Sequence, residues 1–245
     1  MLRTILAALL LLLAGGAFAQ DLLPGTVVPV MLSSTLKADK DSAGQKIEGR
    51  VMQDVPLGEG TRINRGSRVT GHLVSVTRQG PTGSSITLKF DSIEDRGNTI
   101  PLNVRLLALA SMFSVSQAQS PSDANSLYVS QNQWVTQQVG GDVVNRGVGR
   151  VGSPEGSIVG TWLGGSEVSV TPTPNPQLGC PEGDGYDRKQ AFWVFSSSAC
   201  GTYGWSNLQV RDFGGGKSSG KIVLKSSRDL LIRGGSGWLL IANGS

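Results

Sequence analysis

The residues best suited to chemistry stand together in "GCPEGDGYDRKQAFWVFSSSACGTYGW", residues 179–205. This stretch holds both cysteines of the chain, Cys180 and Cys200, with three carboxylates at Glu182, Asp184 and Asp187. It also holds the aromatics Trp193, Tyr203 and Trp205. A cysteine so placed serves as a nucleophile, a metal ligand or half of a disulfide. The nucleophile reading needs a base within hydrogen-bond reach, and the chain has a single histidine, His72 in "VTGHLVSV", far upstream. Zinc takes three or four Cys and His ligands, which two cysteines and one remote histidine do not supply. No phosphate-binding loop, dinucleotide fingerprint or nucleophile elbow is present either. The expectation is a protein that is not an enzyme, with no catalytic residues, no metal and no cofactor.

Two weaker chemistries remain in the same stretch. Closely spaced carboxylates around a glycine are what a calcium loop uses, which makes Glu182, Asp184 and Asp187 a weak candidate set. The full loop pattern with its distal glutamate is missing, and polar turn chemistry explains the same residues. In "AFWVFS", strand alternation puts Phe192 and Val194 on one side and Trp193 and Phe195 on the other. That is a central strand buried on both faces, or an aromatic platform of Trp193, Tyr203 and Trp205 offered to a sugar or a protein partner.

The beginning of the chain bears on the cysteines. Residues 1–19, "MLRTILAALLLLLAGGAFA", carry Arg3, an apolar run from Ile5 to Leu13 and a small-residue Ala17-x-Ala19 site. This pattern predicts a secretory signal peptide cleaved near Ala19. Gly15 and Gly16 end the apolar run well short of the ~18 residues a membrane span needs. A secreted or periplasmic protein follows, with no transmembrane helix in the mature chain. In such an oxidising compartment an even cysteine count favours pairing, so a Cys180–Cys200 disulfide is expected.

Composition narrows the fold. Glycine makes up 34 of 245 residues, and only 6% are aromatic and 16% charged. Glycine at about twice its usual share disfavours long helices and suits short strands joined by tight turns. The net charge of +4 is too small and dispersed to predict a nucleic-acid partner. The densest basic patch, Arg62, Arg65 and Arg68 in "GTRINRGSRVTGH", reads as a solvated turn.

Strand patterns fill residues 22–110. Ile86, Leu88 and Phe90 alternate with Thr87, Lys89 and Asp91, the period of a half-buried strand. "EDRGN" (94–98) reads as a hairpin loop, and His72 as a strand residue on one face with Thr70 and Val74. The order "GTVVPVMLSSTL … INRGSRVTG … ITLKFDSIEDRGNTIPL" is similar to the periplasmic β-barrel domain of the TrbI family of conjugative-transfer and type IV secretion proteins. Gly25, Thr26, Gly66, Ser67, Gly71, Phe90, Asp91, Gly97, Pro101 and Leu102 occupy the matching places. The resemblance covers about residues 24–110 and implies a small TrbI-like β-barrel. It does not extend to the family's cytoplasmic tail, inner-membrane helix or proline-rich stretch, where this chain carries the signal-like leader.

Residues 111–133, rich in Ser and Gln, read as a polar linker, and 134–245 as a second, disulfide-containing β domain of sandwich or barrel type. The fold class is therefore all-β. The leading functional expectation is a non-enzymatic structural or interaction protein of the cell envelope, with an envelope protein or a glycan as partner. A carbohydrate-binding or carbohydrate-processing protein and an accessory part of a conjugation or secretion apparatus are the alternatives.

Overall fold

Period-2 alternation becomes strand wherever it is clear. The computed structural model describes residues 22–58, 60–80, 83–119, 134–137, 139, 143–146, 150–152, 158–164, 167–170, 192–195, 199–211 and 220–243. The signal-like leader, Cys180, Glu182, Asp184 and Asp187 lie outside them. In chain order come β1 (Val27–Leu32), β2 (Leu36–Lys37), β3 (Lys46–Val51), β4 (Val55–Gly58), β5 (Thr61–Ile63), β6 (Arg68–Gly80), β7 (Gly83–Asp95), β8 (Asn98–Pro101) and β9 (Val104–Ala110). In β3 the residues Ile47, Gly49 and Val51 are buried while Lys46, Glu48 and Arg50 are exposed. The "EDRGN" loop is a two-residue hairpin turn in which Asp95 pairs with Asn98. Arg96 (φ 50) and Gly97 (φ 84) are both left-handed, the geometry of a type I′ turn.

The expected polar linker begins instead as a helix, α1 (Met112–Gln119). Ser111 explains why these polar residues wind up. Its hydroxyl accepts the Ser114 backbone N–H at 3.1 Å, an N-cap, while Val115 and Ala118 turn inward. Beyond it β10 (Trp134–Gln137), β11 (Val143–Arg146), β12 (Arg150–Gly152), β13 (Ile158–Gly164) and β14 (Glu167–Val170) form a separate antiparallel five-stranded sheet in sequential order. The last strands are β15 (Gly201–Tyr203), β16 (Leu208–Arg211), β17 (Lys221–Ser226), β18 (Leu231–Ile232) and β19 (Gly237–Ala242).

These last strands correct the expected division at 111–133. They do not build a second sheet with residues 134–170; β15, β16, β17 and β19 return to the sheet begun by β1. Its order is β15-β9-β19-β1-β3-β6-β7-β17-β16, with β8 beside β7, and it curls into a nearly closed barrel. The physical reason is backbone pairing. β19 is hydrogen-bonded antiparallel to both β1 and β9, so residues 22–110 alone leave two long apolar edges unpaired.

The barrel interior is filled by side chains. Val28, Val30 and Leu32 of β1, Leu73 of β6, Ile86, Leu88 and Phe90 of β7, Ile222 and Leu224 of β17, and Trp238 and Leu240 of β19 form one cluster. Phe90 meets Trp238 edge to face, with ring centroids 5.6 Å apart. The two-stranded pairs β2–β18 and β4–β5 add Leu36 and Ile232, and Val55, Leu57 and Ile63, to the same core. A second cluster lies on the opposite face of the β1–β19–β9 region. There Val27, Leu107, Leu239 and Ile241 pack with Val115 and Ala118 of α1 and with Phe192–Phe195.

One buried carboxylate ties the basic turn to the sheet. Asp95, 8% exposed, accepts hydrogen bonds from the Asn64 backbone N–H (3.2 Å), the Asn64 side-chain amide (2.9 Å) and the Ser67 hydroxyl. The "INRGS" turn is thus fastened rather than loose, and Arg62 reaches Asp54 at 3.3 Å. Burial pushes the Asp95 carboxyl up. The bonds from Ser67 and Asn64, with Arg96 nearby, outweigh that and hold it below the ordinary aspartate value. A depressed carboxyl adds stability that is present above its unfolded value, near 3.9, and is lost as pH falls through the folded value. Asp95→Ala should therefore destabilise by about 2–3 kcal/mol, because it strands Ser67 and Asn64. Asp95→Asn should flatten the acid limb of the stability profile. Urea unfolding between neutral and acid pH measures both; an unchanged acid limb in Asp95→Asn would refute the assignment.

Candidate functional site

The sheet has two kinds of surface. Around β1, β19 and β9 both faces are apolar and covered. Around β3, β6, β7 and β17 one face lines the core and the other carries polar side chains in cross-strand register.

A bulge organises this polar face. Thr70 stands opposite Ser92, yet Gly71 stands opposite Phe90, so Asp91 is an extra residue in β7. Gly71 makes the crowded geometry feasible: a Cβ there would lie 2.3 Å from the Lys89 carbonyl oxygen. Bulges re-aim side chains, and this one turns Asp91 toward His72. The His72 Nδ1 and Asp91 Oδ2 are 2.7 Å apart, with the side chains 39% and 41% exposed. Because an ionised carboxylate only accepts, the Nδ1 contact is an N–H donated by the imidazole to Asp91. Thr70 and Ser92 share a hydroxyl–hydroxyl bond of 3.0 Å in the adjoining row. One row further, Arg68 donates to Glu94 at 2.5 Å and lies 3.8 Å from Glu48. Hydrogen bonding to Glu94 raises the Arg68 guanidinium above its ordinary value, keeping it charged throughout the accessible pH range.

His72 thus lies on a strand face with Thr70, as its pattern predicts, but hydrogen-bonded to Asp91. The structure does not bring it to Cys200. Cys200 is buried just before β15, which β9, β19, β1 and β3 separate from β6 in the sheet order. No cluster of three metal-ligating side chains occurs among the described residues. Asp91 is the partner that pattern reading passes over. Its signal is the glycine of "TGH", one residue before the histidine, where only a missing Cβ admits the bulged strand opposite.

The aromatic residues are positioned differently from the expected strand. Phe192 and Phe195 bond each other's backbone in both directions, at 2.9 and 2.8 Å, so residues 192–195 make a tight two-residue turn. Trp193 takes φ 55 at the first central position, where glycine is the usual occupant. A bulky residue there is held by its surroundings. The Trp193 N–H donates to the buried Gln53 side chain at 2.5 Å, and the Val139 N–H donates to the Val194 carbonyl at 2.8 Å. All four side chains from Phe192 to Phe195 are buried, Trp193 at 8% exposure. Trp193 is therefore core and contributes no open face to a platform. Tyr203 and Trp205 are half-buried, Trp205 packing against the barrel core.

Tyr203 closes the junction at the cysteine. Its hydroxyl donates to the Cys200 carbonyl at 2.8 Å and accepts the Cys200 N–H at 3.1 Å. Burial pushes the phenol up to about 12, against the opposing effect of its Cys200 bond. Among the described residues no thiol is free.

The aromatic turn needs a small residue beneath it. A Cβ on Gly237 would lie 3.0 Å from Val115 Cγ2 and 3.1 Å from both Phe195 Cζ and Trp193 Cζ3. Gly237→Ala should lift the turn and α1 together, at about 1–3 kcal/mol. Thermal melting and near-ultraviolet circular dichroism read the result; an unshifted melt with unchanged tryptophan signals would show that the turn is not seated on β19. Compared with protein-family models and with curated proteins, the chain matches none.

Proposed function

We propose that this chain is a non-enzymatic interaction module of the cell envelope, secreted or periplasmic, whose working surface is the polar face of β3, β6, β7 and β17. The observation that carries this reading is the distribution of coverage. The barrel interior is occupied by the cluster around Phe90 and Trp238, and the outside of β1, β19 and β9 lies under α1 and the aromatic turn. The four-stranded polar face carries a set of charged and hydroxyl side chains with no such cover among the described residues. The resemblance of residues 24–110 to the TrbI barrel supports an envelope setting, as does the signal-like leader.

A disulfide between Cys180 and Cys200 belongs to the same proposal, since that compartment oxidises paired thiols. Closing this loop stabilises by roughly 3 kcal/mol. Cys180→Ser and Cys200→Ser should therefore lower the melting temperature by equal amounts, and the double substitution by no more than either. Thiol titrating in the native, unreduced protein would remove the bridge from the proposal.

The functional reading is tested by position. A photo-crosslinking residue at Ser75, exposed on the outer face of β6, should give a discrete adduct in an envelope fraction; one at Asp39, exposed in the loop before β3, should give none. Equal yields at the two positions, or none at either, would overturn the polar face as the working surface.

A further inference from the structure

The register of four strands lines up three lysines and the histidine in single file. Lys46 of β3 stands opposite His72 of β6, His72 opposite Lys89 of β7, and Lys89 opposite Lys221 of β17. Their neighbours Ile47, Leu73, Leu88 and Ile222 are buried, so all four point outward. Adjacent strands are about 4.8 Å apart, so the row spans about 14 Å in equal steps. Lys46, Lys89 and Lys221 make no salt bridge among the described residues, and the one carboxylate in the row, Asp91, is paired with His72. Like charges directly opposite one another cost stability in a sheet, and Lys89 and Lys221 stand so paired, with Lys46 one strand beyond His72.

The flanking rows define the shape of what fits. On one side are the Thr70 and Ser92 hydroxyls with Glu48, and on the other Ser75 and Thr87. Further out, Glu48 and Glu94 bracket Arg68. A broad anionic surface such as a membrane would meet these carboxylates as well as the lysines. A narrow chain with one negative charge per unit, laid along the row, would meet cations at its charges and hydroxyls at its edges. Each step of the row is close to the length of one sugar ring.

We propose that the row Lys46–His72–Lys89–Lys221 binds a linear acidic polysaccharide whose carboxylates meet Lys46, Lys89 and Lys221, with a ring passing over His72 between them. This rests on the polar face being the working surface and names its partner. The Asp91 carboxylate holds the imidazole in place between two lysines.

Polygalacturonate is the probe, measured by titration calorimetry at low salt against the folded full chain. Binding should weaken about two- to fivefold for each of Lys46→Gln, Lys89→Gln and Lys221→Gln, the range for exposed ion contacts, and more than tenfold for the triple variant. Lys225→Gln, on β17 but outside the row, should leave binding unchanged. Added salt should weaken it steadily. These surface changes leave the core intact, and equal melting temperatures check that. Polygalacturonate binding that is absent in the wild type, or equal in the triple variant, overturns the proposal. So does binding of anionic vesicles or oligothymidylate that is tighter than that of polygalacturonate and lost in the triple variant. In that case the polar face still docks a ligand, and only its assigned partner falls. If crosslinking from Ser75 also fails, the broader reading falls with it.

Discussion

Strand β19 is hydrogen-bonded along both edges and buried on both faces, and the rest of the architecture depends on that double demand. It pairs with β1 from Val27–Ile241 to Met31–Gly237, and with β9 from Ala110–Gly237 to Val104–Ala242. All six of its residues are buried. One face supplies Trp238 and Leu240 to the barrel interior; the other supplies Leu239 and Ile241 to the layer beneath α1 and the aromatic turn. Without β19 the sheet has two apolar edges, the interior loses its largest side chain, and the outer layer has no floor. The strand that closes the barrel is also among the last in the chain. Closure therefore joins segments far apart in sequence, the kind of contact whose loop entropy slows folding.

The sheet's two halves divide the labour that follows. Where both faces are covered, side chains are chosen by volume, and small residues such as Gly237 and Ala108 admit the bulk of their neighbours. Where one face is open, a bulge can present a polar side chain instead of a packed one. The doubly covered half also carries a bulge, at Leu107 of β9, but Leu106 and Leu107 there are both buried; in the one-faced half the bulge at Asp91 aims a carboxylate at His72. The exposed contacts there, Arg68 with Glu94 and His72 with Asp91, add little stability, since solvent screens them. They hold the side chains of that face in a fixed cross-strand arrangement.

How much of this was legible in the sequence follows from how local each signal is. The alternation of Ile86, Leu88 and Phe90, and the "EDRGN" turn, are set by neighbouring residues and could be read directly. The helix at Met112–Gln119 was missed because its cue is a lone serine cap amid polar residues, with only Val115 and Ala118 turned inward. The division into two β domains failed for a long-range reason: apolar "GWLLIA" shows that a strand is buried on both faces, but not which edges it joins. "AFWVFS" showed the burial of its aromatics and misled about their conformation, since Trp193 at φ 55 depends on Gln53 and Val139 holding the turn. The row of lysines with His72 was invisible for the same reason as the barrel closure. Each member is an ordinary strand-face residue until register sets them side by side.

The pairing of β1 with β19 has a mechanical consequence. Gly25 donates its N–H to the Ala242 carbonyl at 3.0 Å, and Ala242 donates to Thr26 at 2.9 Å, so the chain enters and leaves the barrel at the same end of one antiparallel ladder. Tension applied between these two points does not shear the ladder with all its hydrogen bonds sharing the load. It peels the two strands apart one pair at a time, starting at Val27 and Ile241. A barrel closed this way resists heat through its core but opens like a zipper when pulled from its ends.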